Sequence, residues 1–205
     1  MHKFIFFFLI FTVSLVAQTK MSQTEAESLR KKVKEKAEST KTITSDFIQY
    51  KHLDFLSNDI ESSGKLAFKA PDIVKWEYVR PFSYSVLFRD EKLFVNDDGN
   101  KSNMDLSSNK VFKQLNQLIT ASISGDMFIM EQFHIDYFKE ADSSVVHFRP
   151  KDAQFAEFIK AFHITFSNSG AVTAVKMIEP SDDYTQIVFS NRTENQSIPD
   201  AVFAQ

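Results

Sequence analysis

Side chains able to do chemistry are few in this 205-residue chain, and they are badly spaced for it. Past the N-terminal apolar run stand four histidines: His52, His134, His147 and His163. No two are three or four residues apart, as ligands on one helix would be. Asp97-Asp98 and Asp182-Asp183 are adjacent pairs in turn contexts. Neighbours in extended chain point to opposite sides, which does not suit an acid/base pair. Ser122-Ile123-Ser124-Gly125-Asp126 lacks the first glycine of a nucleophile elbow, and no glycine-rich phosphate loop occurs. With no cysteine there is no disulfide, thiol nucleophile, thiolate metal site or lipidated cysteine. Neither a cofactor nor an enzymatic activity is expected.

What remains informative is apolar. Phenylalanine accounts for 22 residues and glycine for only four. That balance suits a sheet around a wide apolar interior, and it suits an aromatic-rich core equally well. His2 and Lys3 precede an apolar run from Phe4 to Val16, too short to span a bilayer, and Ala17 offers a small residue before Gln18. Residues 1–17 read as a cleaved secretory signal peptide, with a retained anchor as the alternative. Leu15 is larger than the usual residue two places before cleavage. Residues 18–205, 188 in all, are enough for one domain with a real core. They hold 23 Lys and Arg against 27 Asp and Glu, without the clustered basic face that nucleic acid requires.

The elements that must position any site are mostly strands. Ser22-Gln23-Thr24-Glu25 fits a capping box, and Ala26, Leu29, Val33 and Ala37 follow as a narrow helical stripe over 22–39. This helix is expected on the outside or across the end of a sheet. Its Lys31, Lys32, Lys34 and Lys36 alternate with Glu27, Glu35 and Glu38 as a solvated face. Period-2 alternation predicts strands at 43–51, 59–69, 72–79, 83–89, 91–96 and 101–106, and again at 133–140, 144–149, 159–167, 171–179 and 183–190. Between the two sets, Val111, Leu115, Leu118, Ile119 and Ser122 recur at helical spacing. A second apolar segment at 126–132 carries Met127, Phe128 and Met130. Two such segments are compatible with a lid over the sheet and with ordinary core helices alike. The tail from Ile198 to Phe203 reads as a short closing element. The fold class is mainly β (α+β): a strongly curved, incomplete antiparallel barrel of ten or eleven strands, with an N-terminal helix.

The run from Gly64 to Gly99 carries the most specific pattern. Leu66 and Phe68 share a face, Ala70-Pro71 breaks the strand, Val74, Trp76 and Tyr78 alternate with Lys75 and Glu77, and Pro81 breaks the chain again. This order of parts resembles the LolA family of periplasmic lipoprotein carriers, and the resemblance extends from the helix at 22–39 to the last strand. It implies that the covered face of the sheet holds lipid. Trp76 matches the family's inner-face tryptophan, and Val74 stands where some members have a phenylalanine near the cavity mouth. Leu118 and Ile119 match the helix that closes over the opening. The implied lipid-binding residues on the sheet are Phe47, Leu66, Phe68, Val74, Trp76, Tyr78, Val86, Phe88 and Phe166. The helical segments add Leu115, Leu118, Ile119, Met127, Phe128 and Met130. Many members have an arginine before the proline that holds the lid closed; here that position is Ala70.

The resemblance further implies a monomeric periplasmic chaperone. It would shield the acyl chains of lipoproteins and carry them from an inner-membrane ABC-type transporter to an outer-membrane acceptor, with transient membrane contact. The alternatives on the same scaffold are a carrier or sensor of another envelope lipid, such as a glycolipid, and a structural or interaction domain with a filled core.

Overall fold

The computed structural model describes residues 18–90, 92–105, 127–128 and 131–204. The alternating sequence folds into strands β1 (Thr19–Lys20), β2 (Thr42–His52), β3 (Ile60–Lys69), β4 (Ile73–Arg80), β5 (Tyr84–Arg89) and β6 (Lys92–Asp97). These are followed by β7 (Asn100–Asp105), β8 (Phe133–Lys139), β9 (Ser143–Pro150), β10 (Ala161–Ser167), β11 (Val172–Ile178) and β12 (Tyr184–Glu194). All lie in one antiparallel sheet in the order β1-β8-β9-β10-β11-β12-β2-β3-β4-β5-β6-β7. β1 and β7 are left as edges, so the sheet does not close into a barrel. The twelve strands described include one that periodicity does not reveal. β1 is two residues long, too short to show an alternation, and pairs with β8.

Local chemistry explains the turns. The β6–β7 hairpin closes over Asp98 and Gly99, both at positive φ (47° and 94°), the backbone that a two-residue hairpin loop demands and that Asp-Gly tolerates. β12 continues past the expected residue 190 to Glu194. A register irregularity between Ser190 and Thr193, with Asn191 at φ 50°, lets pairing with β2 resume.

The helix α1 (Gln23–Ser39) begins at the predicted capping box. The Ser22 side chain accepts from the Glu25 N–H at 3.3 Å, and Glu25 accepts from the Ser22 N–H at 2.8 Å. The Lys139 ammonium, then the Ser22 backbone N–H, hold the Glu25 carboxyl down at about 2. The position of α1 differs from expectation. It does not pack on the outside: Leu29 and Val33 join Val146, Phe148, Phe162, Ile164 and Phe166 in one cluster on the inner face of β9 and β10. The reason is the width of that phenylalanine surface, which the helix covers. Gly170, at φ 82°, permits the approach, since a Cβ there would stand 3.0 Å from the Lys32 carbonyl. A one-turn helix α2 (Ala153–Ala156), capped by Asp152, inserts Phe155 into the same cluster.

The outer face carries its own small core. The tail folds back so that Ile198, Val202 and Phe203 cover Ala67, Leu87 and Phe94, with Lys69 paired to Asp200 at 2.7 Å. On the inner face of the other half, Phe47 lies opposite Gly64 in the β2–β3 ladder. A Cβ on Gly64 would meet the Glu77 carbonyl oxygen at 2.0 Å and the Phe47 ring at 2.7 Å. Replacing Gly64 with valine is therefore expected to destabilise the protein by about 3 kcal/mol, an overpacking cost made worse by a rigid backbone neighbour. Urea unfolding of the two proteins measures this; midpoints matching within error would refute it.

Candidate functional site

Among the described residues the inner face is not filled. Between α1 and the walls formed by β2–β5 and β10–β12 lies a cavity of about 360 Å³. Close-packed interiors hold few voids larger than a water molecule, whereas ligand pockets run from ~300 to 1,000 Å³. This space is of ligand size. Its wall is formed on one side by Leu66, Val74, Trp76, Val86 and Phe88, and on the other by Phe162, Ile164, Val175, Met177, Ile187 and Phe189. Lining residues alternate with outward-facing ones along the strands, so each strand contributes every second side chain.

Beneath the tryptophan, the Phe47 ring sits 5.1 Å from the Trp76 ring and 5.1 Å from the Tyr78 ring, edge-on to both. Phe189 approaches Trp76 from β12 at 5.9 Å. The ends of the cavity are polar. At one end Tyr78 donates to Gln49 Oε1 at 2.9 Å, with Tyr84 and Thr185 alongside. Burial, then the neighbouring Tyr84, pushes the Tyr78 hydroxyl above its ordinary pKa, so it remains a donor. At the other end, beneath the last turns of α1, Lys36, Thr40 and Arg192 contribute to the wall.

The residues named from sequence are distributed as follows. Leu66, Val74, Trp76, Tyr78, Val86 and Phe88 line the cavity. Phe47 and Phe68 are buried on the same inner face without lining the cavity. Met127, Phe128 and Phe166 belong to the cluster under α1, where the Phe128 ring lies 6.2 Å from that of Phe166. Leu115, Leu118, Ile119 and Met130 lie outside the described residues. The far wall was not assigned to this site from sequence, although Ile187 and Phe189 stand on one face of a predicted strand. Lys36, expected on the solvated face of the helix, instead lines the cavity and pairs with Glu194, and Arg192 was missed because it carries no local signal.

A family model described as outer membrane lipoprotein carrier protein LolA matches residues 38–205. The chain belongs to the LolA family. An outer-membrane lipoprotein carrier protein of Dechloromonas aromatica (strain RCB) is 26% identical over 146 residues, covering 70% of this chain and 66% of that one. The chain thus spans just under two thirds of that relative's length. Among solved structures, the MucA/MucB complex of Pseudomonas aeruginosa superposes with a TM-score of 0.55 at 9% identity, over 88% of this chain and 61% of that one. The Mycobacterium tuberculosis lipoprotein LppX superposes with a TM-score of 0.52 at 9% identity, over 87% and 100%. At such identities these two show a shared fold.

Among the described residues, no histidine of this LolA-family chain lines the cavity. Nor do any three His, Asp or Glu side chains among them group as metal ligands. The pairing of β9 with β10 instead sets His147 opposite His163 on the outer face, their rings 3.6 Å apart and nearly parallel. His163 is held down to about 4, first by burial, then by His147 and Lys176 beside it. Burial also lowers His147, against the pull of Asp136, and its Nε2 is buried without a partner. An unfolded histidine takes up its proton near 6.5. Between that value and about 4 the unfolded chain binds more protons, so this contribution is complete above about 6.5 and is lost as pH falls through about 4. The urea midpoint is expected to drop over that window, and His163→Gln should flatten the drop. Identical pH slopes in the two proteins would show that the stacked pair does not titrate in this way.

Proposed function

We propose that this protein is an exported carrier that shields the acyl chains of lipoproteins and moves them through the periplasm to the outer membrane. Residues 1–17 act as its cleaved signal peptide and residues 18–205 as one lipid-carrier domain. The observation that carries the reading is the ligand-sized apolar cavity beside Trp76, in a chain of the LolA family. A filled core would leave no such space.

The energetics favour a carrier over free diffusion. Each acyl methylene gains ~0.8 kcal/mol on leaving water, so a long chain does not return to the aqueous phase on its own. Release requires an acceptor with a better apolar site, and loading from a membrane requires work. An inner-membrane ABC-type transporter and an outer-membrane acceptor fill those two roles. Transient membrane contact has an apolar surface available at the Tyr78 end of the sheet. There Phe55, between β2 and β3, is 79% exposed, and Phe82, between β4 and β5, is 55% exposed. With Ala70 in place of the family's arginine, any closure over the cavity relies on other contacts.

Native mass spectrometry with lipid extraction, on protein purified from the envelope of its own host, tests the proposal. Co-purifying triacylated lipoproteins are expected. Free lipid of another class would make it a carrier of that lipid, and an empty cavity that takes up no fluorescent fatty acid would end the carrier reading. Trp76→Glu places a charge in the lining and is expected to reduce lipid retention at least about tenfold, given the cost of an unpaired charge in an apolar site. Circular dichroism should confirm that the variant is folded; retention at the normal level would remove Trp76 from the site.

A further inference from the structure

One end of the cavity carries more charge than its own folding needs. Lys36, from α1, and Arg192, from β12, both face into the space, and Glu194 joins them. Glu194 accepts from Lys36 Nζ through one oxygen and from Arg192 Nε, at 2.7 Å, through the other. The three side chains are 28%, 23% and 20% exposed, so water screens them incompletely. Burial pushes the Glu194 carboxyl up, but the hydrogen bonds from Lys36 and Arg192 outweigh it and hold it below the usual range. The carboxylate stays ionised and fixes both cations in place.

A single lysine would satisfy that carboxylate as an ion pair. The arginine adds a second positive charge, leaving an excess of one at a wall otherwise built from Val33, Ile43, Val74 and Phe88. Arg192 meets Glu194 through Nε. Among the described residues no acceptor occupies its two terminal nitrogens. A guanidinium with that edge free matches a carboxylate or a phosphate in a planar, two-bond geometry. At the opposite end, Gln49, Tyr78, Tyr84 and Thr185 offer hydrogen bonds but no charge. The cavity is therefore polarised along its length, with an apolar wall between a cationic end and a neutral one.

We infer that the Lys36–Arg192 end is an anion site that takes the carboxylate or phosphate head of an acyl-chain amphiphile, with the chain lying along the Val74–Trp76 wall. This rests on the carrier reading only in that a chain must enter the same cavity, and goes beyond it in ligand class, since the ester- and amide-linked chains of a lipoprotein carry no such head. It adds a selectivity that an apolar cavity alone cannot have. Two ligands with identical chains are told apart by the charge on the head.

The test compares palmitate, its methyl ester, 1-palmitoyl lysophosphatidate and inorganic phosphate, each competing with a fluorescent fatty acid for the full-length mature protein. Palmitate and the lysophosphatidate are expected to bind at least about tenfold more tightly than the ester, as a charge-assisted hydrogen bond implies. Arg192→Gln should bring the palmitate-to-ester ratio close to one, and Arg192→Lys should retain part of it. Should Arg192→Gln fold poorly, the comparison of ligands on the unaltered protein still decides. Equal affinities for palmitate and ester would overturn the anion site while leaving the carrier reading intact. Displacement by inorganic phosphate alone would mark a site for free anions and overturn the amphiphile assignment. Failure of every acylated ligand to bind would overturn both.

Discussion

The structure turns on a mismatch between a wide apolar sheet face and the narrow helical stripe that, among the described residues, lies across it. α1 buries Ala26, Leu29 and Val33. That stripe seals the half of the sheet formed by β8–β11, where Phe148, Phe162 and Phe166 are fully enclosed. It reaches the other half only with its last turns, where Val33, Lys36 and Ala37 meet the edge of the cavity. Beyond them, Trp76, Val86 and Phe88 face a space instead of a packed neighbour. An apolar wall without a covering element costs stability in water unless something else fills it. In the carrier reading proposed above, that cost is the condition for taking up a ligand.

Stability is supplied elsewhere, on both sides of the same sheet. Phe47 fills the step over Gly64 and packs edge-on against Trp76 and Tyr78. On the outer face the C-terminal tail covers Ala67, Leu87 and Phe94 behind the same strands. One small core thus backs the cavity wall from the outer face, and Phe47 packs against Trp76 and Tyr78 on the inner one.

The charged groups follow the same division. On the outer face the ladders set Asp136, His147, His163 and Lys176 side by side across β8–β11; Lys176 reaches diagonally to β12, its ammonium 3.5 Å from the ring centroid of Tyr184, which lies opposite His52 on β2. These groups face away from the cavity, and the histidine shifts reflect burial beside one another. On the inner face the lining is nearly free of charge, and Lys36 and Arg192 are its only cations among the described residues. A charge in such a wall acts through a lower dielectric than one on the surface, so its position weighs heavily on what the cavity accepts.

The fold was legible in the sequence because strand alternation is a local property. A period of two reads out as inner and outer faces wherever a strand is long enough. Alternation alone therefore assigns Gly64, Leu66, Val74, Trp76 and Tyr78 to one face, and the capping box at Ser22 is just as local. β1 escaped because two residues carry no period. The site was only half legible for a different reason. Strand pairing brings residues together across long stretches of chain, and nothing in a local window encodes which strand β2 will choose on its far side. Its pairing with β12 sets Glu194 opposite Ile43. That register alone carries Arg192 and Glu194 to Lys36, 158 residues from Glu194 in the chain. The approach of β9 to β10 around α2 stacks His147 on His163 in the same way. Composition and alternation determined that this chain would build an apolar inner face. Only the tertiary pairing decided how much of that face α1 would cover and which charges would meet at its end, because both depend on contacts between segments that are distant in sequence.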